Sequence, residues 1–178
     1  MLKKILLGIF VAVLLLLGVI LAQPDQFKVT RAATINAPAE AVFSQLNDFQ
    51  KWNAWSPWGK LDPGMKETFS GPPSGAGSVY EWAGNKDVGR GRMTILESHP
   101  HDTLRIRLEF IEPFASEAAT DFVLQPEGAA TRVTWTMSGQ NDFLSKTMCL
   151  FMGGMDKMIG PDFEKGLRQL RSVSEKPL

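Results

Sequence analysis

Residues 27–43 read FKVTRAATINAPAEAVF, and the change of period inside this stretch sets the fold. In its first nine residues Phe27, Val29, Arg31, Ala33 and Ile35 fall on one face, while Lys28, Thr30, Ala32 and Thr34 fall on the other. That is the two-residue period of a half-buried strand. Asn36 is suited to cap a following helix, and Pro38 suits a first helical turn, where its missing donor costs nothing. Val42, Phe43 and Leu46 then recur at helical spacing. A second short helix is expected from about Asp48, carrying Phe49 and Trp52, and it breaks at residues 53–57, NAWSP. Trp52, Trp55 and Trp58 place three indoles in seven residues across that break. Pro57 restricts Ser56 to extended geometry, so the rings do not form one regular helix face. They either gate a site or brace the loop.

Upstream, Lys3 and Lys4 precede an uninterrupted apolar run over residues 5–22, ILLGIFVAVLLLLGVILA. As a helix rising ~1.5 Å per residue it spans roughly 27 Å, near the hydrocarbon thickness of a bilayer. An uncleaved transmembrane anchor is the first reading, with the N-terminus cytoplasmic by the positive-inside bias and the domain on the extracytoplasmic side. A cleaved signal, leaving a secreted or periplasmic domain, is the alternative, although Ile20-Leu21-Ala22 is a poor cleavage site. Residues 1–26 form this anchor and a short linker containing Pro24, residues 27–174 form one domain, and residues 175–178 form a tail. Without Lys3 and Lys4 the chain carries 17 basic and 19 acidic side chains, a net charge of −2. No basic stripe appears, so nucleic acid is not an expected partner. Cys149 is the single cysteine, which excludes an intrachain disulfide and leaves the redox compartment open.

Downstream the two-residue period dominates. A weak strand at residues 65–70 ends in the breaker GPPSGAG, and residues 78–83 set Tyr80 and Trp82 on one face. A turn at residues 84–87 closes a hairpin onto residues 88–98. Residues 103–111 alternate cleanly: Leu104, Ile106, Leu108 and Phe110 face inward, and Arg105, Arg107 and Glu109 face water. Ala118, Thr120, Phe122 and Leu124, then Val133, Trp135 and Met137, repeat the scheme either side of a turn at residues 126–128. After Gly139 the period becomes helical. Met148, Met152, Met155 and Met158, at spacings of four, three and three, are expected on one helix face. Gly153-Gly154 and Gly160-Pro161 weaken that segment, so a final helix is expected from about Pro161 to Ser174, with Phe163, Leu167 and Leu170 inward.

A strand, two short helices, about six antiparallel strands and a long C-terminal helix make an α+β chain. Arg31 with residues 35–43, INAPAEAVF, resembles the strand-to-helix opening of the START-like helix-grip superfamily, also called SRPBCC. Within it the chain is most similar to the polyketide cyclase/dehydrase and lipid transport family, through the Trp-Ser-Pro-Trp turn, GNKDVGRG at residues 84–91 and DFEKGL at residues 162–167. The resemblance implies a curved sheet of about seven strands wrapped around the C-terminal helix, with a cavity between them. It does not choose among lipid carriers, hormone receptors, cyclases and members of no known activity.

The inward residues supply a lining for such a cavity: Tyr80, Trp82, Phe110, Phe122, Trp135, Met137 and, from the methionine face, Met155, with Trp52, Trp55 and Trp58 at its rim. The same residues would equally fill a solid core. His99 and His101 flank Pro100 at an expected turn without further ligands at metal spacing, so no metal site is expected. No cofactor motif or catalytic triad is visible, and Cys149, among apolar neighbours, is expected to be a buried, inert thiol. Gly89 and Gly91 either relieve crowding or mark a bulge. The first functional reading is a membrane-anchored domain that binds a small hydrophobic or lipid-like molecule. The second is a cyclase or dehydratase acting in the same cavity, which predicts an ionisable residue aimed into it. The third is an envelope interaction domain with a filled core.

Overall fold

The alternation that begins at Phe27 becomes β1 (Gln26–Ile35) in the computed structural model, which describes residues 1–176. Residues 177 and 178, the end of the expected tail, lie outside the described residues. Val29 and Ile35 are buried, and the polar face of β1 is exposed. Before β1 comes α1 (Leu2–Leu21), exposed along nearly its whole length and long and apolar enough to cross a membrane. After it come α2 (Ala39–Leu46), a 3-10 helix (Phe49–Ala54), β2 (Lys66–Ser70), β3 (Val79–Ala83), β4 (Arg90–His99), β5 (Thr103–Glu112), β6 (Ser116–Glu127) and β7 (Ala130–Gln140). Two helices follow, α3 (Phe143–Met152) and α4 (Met155–Ser174).

The seven strands form one antiparallel sheet in the order β1-β7-β6-β5-β4-β3-β2. Register shifts in β4 at Arg90/Gly91 and Ile95/Glu97 are bulges, which bend a strand and increase its twist. On the wet face the charges pair directly across strands, Glu81 with Arg92 and Arg105 with Asp121. On the inner face α4 lays Phe163, Leu167 and Leu170 against the sheet. Gly166 makes this approach possible, since a Cβ there would stand 2.7 Å from the Trp135 ring. Arg31, the one charged residue on the inner face of β1, reaches α4 and donates to Asp156 at 2.8 Å and Glu164 at 2.9 Å. These contacts raise the guanidinium pKa above its ordinary value, and the Asp156 carboxyl is correspondingly lowered by its hydrogen bond from Arg31.

Several local expectations are corrected. Asn36 does not cap α2 through its side chain; Pro38 occupies the cap position, and the Asn36 N–H donates to Glu175 Oε1 at 2.7 Å. The methionine stripe is split. Gly153 and Gly154 take φ of 83° and 95°, which ends α3 and starts α4 in a new direction, so Met148 and Met152 do not share a face with Met155 and Met158. Pro161 lies inside α4 and does not start it. The β6–β7 turn is shifted, because Pro126 and Glu127 still pair with Thr131 and Ala130. Cys149 is free but only partly buried.

Candidate functional site

Strand register gives the sheet two ends. The pairings Gln26 with Gln140, Phe110 with Ser116, Arg90 with Glu112 and Lys66 with Ala83 gather the start of β1, the end of β7, the β5–β6 turn and the β3–β4 hairpin at the end nearer α1. At the far end the space between sheet and helices is solid: Leu104, Ile106, Phe122, Leu124, Val133, Leu167 and Leu170 are buried and packed with α2. At the α1 end it is not filled. A cavity of about 310 Å³ lies there between the sheet, the first half of α4 and residues 53–65.

Its wall is mainly apolar and aromatic. β3 supplies Tyr80 and Trp82, β5 supplies Leu108 and Phe110, β7 supplies Trp135 and Met137, and α4 supplies Ile159 and Phe163. Trp82 lies across its cross-strand partner Gly91, where a Cβ would fall 2.3 Å from the ring. Gly91 therefore relieves crowding at a bulge, and Gly89, with φ of 62°, makes the turn before it. Asn53 and Asp87, both exposed, are at the rim, so the cavity opens between the end of the 3-10 helix and the β3–β4 hairpin.

The three indoles divide their work. Trp52 Nε1 donates to the Leu46 carbonyl at 2.9 Å and Trp55 Nε1 to the Gln45 carbonyl at 3.2 Å, satisfying carbonyls that the end of α2 leaves free. Trp52 also reaches the cavity, whereas Trp55 is fully buried behind the wall, edge-on to Phe122 and Trp135. Trp58 stands half-buried in the wall, edge-on to Trp135 and Phe163. Of the expected lining, Trp52, Trp58, Tyr80, Trp82, Phe110, Trp135 and Met137 come together around the cavity. Trp55, Phe122 and Met155 do not. Phe122 faces inward but sits in the packed half of β6, and Met155 opens α4 outside the wall. Sequence reasoning passed over Met65, Met93, Leu108, Thr120, Ile159 and Phe163 as wall residues. Leu108 and Thr120 carried a usable signal, being inward and on the α1 side of their strands.

Polar groups in the wall are few. The Tyr80 hydroxyl donates to Glu67 Oε1 at 2.8 Å, and Asn53 Nδ2 donates to Glu67 Oε2 at 2.9 Å, so one carboxylate of β2 ties the end of the 3-10 helix to β3. Burial, reinforced by Glu67, pushes the Tyr80 hydroxyl above the ordinary tyrosine range. Trp135 Nε1 is buried without a hydrogen-bond partner, while the ring stacks on Phe163 at 4.1 Å between centroids. Among the described residues no cluster of three or more His, Cys, Asp or Glu side chains is placed to hold a metal. His99 is exposed, and His101 packs edge-on to Phe43.

A sequence profile described as polyketide cyclase / dehydrase and lipid transport matches residues 26–175. The chain belongs to this family. Solved structures with the same fold include major latex-like protein 151 from Panax ginseng, at 11% identity and a TM-score of 0.61, covering 86% of this chain and 100% of that one. A Mesorhizobium loti protein matches at 18% identity and a TM-score of 0.60, covering 85% and 100%. The Aha1 dimer from Colwellia psychrerythraea matches at 17% identity and a TM-score of 0.57, covering 84% and 96%. Identities this low establish the fold alone, and no curated protein matches by sequence. The polyketide cyclase/dehydrase and lipid transport family is a hydrophobic ligand-binding fold, and its matched span takes in the whole cavity wall.

Proposed function

We propose that the chain is a membrane-anchored binding domain that holds a small hydrophobic or lipid-like molecule in the cavity between sheet and α4. The observation that carries this reading is a largely apolar void in a domain whose other half is solidly packed. A chain that needed only a core would close such a space, because unfilled volume in an apolar interior is destabilising. Its volume, about 310 Å³, falls at the lower end of the roughly 300–1,000 Å³ of small-molecule sites.

The anchor half of the reading rests on the length, apolarity and exposure of α1, which carries Lys3 and Lys4 in its first turn. The carrier is set ahead of the enzyme because the ionisable groups of the wall are Tyr80, engaged by Glu67, and Asp87 on the exposed rim. The full chain, extracted in mild detergent and released in the gas phase, is expected to carry a bound hydrophobic mass. Repeated preparations without bound mass, and no binding from a panel of fatty acids, sterols and phospholipids, would overturn the carrier. N-terminal sequencing tests the anchor: an intact N-terminus supports it, and a start near Gln23 contradicts it.

A further inference from the structure

The amphipathicity of α3 is inverted. Phe143, Leu144, Met148, Phe151 and Met152 share one side of the helix, and that side is the exposed one, with Phe151 71% accessible at its centre. The opposite side carries Lys146, which is buried, with Nζ on Asp25 and within 3.5 Å of the Leu21 carbonyl. A helix in water presents its lysine and hides its phenylalanines. Here Lys146, itself buried, pairs with the exposed Asp25 and ties α3 to the point where the chain leaves α1.

A second observation concerns the rest of the same end. Leu61, in the loop before β2, and Ile111 and Phe114, at the β5–β6 turn, are also exposed. Outside α1, the other exposed large apolar side chains of the described residues are Met1, Phe69 and Leu96. The cavity mouth, between residues 53–65 and the β3–β4 hairpin, opens at this end too.

We propose that α3 is a second membrane contact: its Phe143–Met152 apolar side lies in the interfacial layer of the bilayer that holds α1, and with Leu61, Ile111 and Phe114 it seats the cavity mouth against that bilayer. The inference rests on the anchor reading of α1. A lipid surface fits better than a second copy of the chain. Ten residues of helix offer a strip about 15 Å long and about 10 Å wide, far below the roughly 800 Å² per partner of a stable protein interface. Continuity with α1 supplies the membrane without any further partner.

The test uses the full chain with Cys149→Ser, reconstituted in phosphatidylcholine–phosphatidylglycerol vesicles. An environment-sensitive fluorophore is attached in turn to Phe151→Cys on α3, Leu14→Cys in α1 and Asp102→Cys in the far β4–β5 turn. The position 151 probe is expected to be blue-shifted and strongly quenched by nitroxides near the lipid headgroups, with the position 102 probe open to aqueous iodide. If iodide quenches the 151 probe as freely as the 102 probe while the 14 probe answers only to lipid nitroxides, the proposal fails and the anchor stands. If the 14 probe is itself open to iodide, the anchor reading fails and takes the proposal with it. A 151 probe that is protected only at high protein density, and ignores lipid nitroxides, would mean that another copy covers α3 and would overturn the assignment to the bilayer.

Discussion

Trp55 and Trp58, three residues apart, are set to different tasks by where their rings end up. Trp55 is fully buried among Trp52, Phe122 and Trp135 and donates to α2, so Trp55→Ala is expected to cost about 3–5 kcal/mol in denaturant melts. Trp58 is half-buried against the void, so Trp58→Ala is expected to change ligand affinity at a smaller stability cost. Equal stability losses in the two variants would contradict this division. Tyr80 offers a direct optical test because it is the only tyrosine. Its folded pKa is raised, so its contribution to stability is complete below the ordinary value of about 10 and is lost as pH rises through the folded one. Phenolate absorbance should therefore appear well above pH ~10. Glu67→Gln should lower the midpoint yet leave it raised, because burial is the larger cause. At this scale the sequence told faces but not depth. Phe122 and Thr120 share the inward face of β6, and two residues along the strand separate a packed position from a cavity wall. Alternation cannot distinguish them without the register of the neighbouring strands.

Among elements, α4 holds the clearest commitments. Gly166→Ala would press a methyl into the rigid Trp135 ring and the Pro57 ring and is expected to destabilise by about 1–3 kcal/mol, read from urea midpoints. The Arg31 contact to Asp156 gives an acid dependence. The Asp156 carboxyl is lowered in the fold, so its contribution is present above the ordinary value of about 3.9 and fades as pH falls through the lower folded one. Asp156→Asn should remove that component from urea midpoints measured against pH. The effect is small, because Asp156 is exposed and its pair is screened by solvent. An unchanged acid profile in Asp156→Asn would detach the shift from this contact. Most strands and α2 were legible because each carries one period over its length; β4 breaks its alternation at its register shifts, which leaves Leu96 exposed. The methionine segment was not. Its spacings of four, three and three run across Gly153-Gly154, where two positive φ values redirect the chain, and a period read through a break joins residues that belong to different helices.

The whole molecule is a helix-grip domain whose far half is a packed core and whose α1-side half is hollow, with the mouth, α3 and the end of α1 gathered at one end. The seven strands and the C-terminal helix followed from hydrophobic patterning. The cavity did not, because a void is a property of how inward residues from five strands, a helix and a loop fail to meet, and no single stretch records that. Filling the void is the most direct test of the central claim. Leu108→Trp adds volume to the cavity wall in the full chain, and binding of a fluorescent fatty acid is measured beside the melting temperature without ligand. The account predicts that binding is lost while the unliganded melting temperature holds or rises, since new side-chain atoms take up empty space. Undiminished binding in a stably folded Leu108→Trp variant would contradict it.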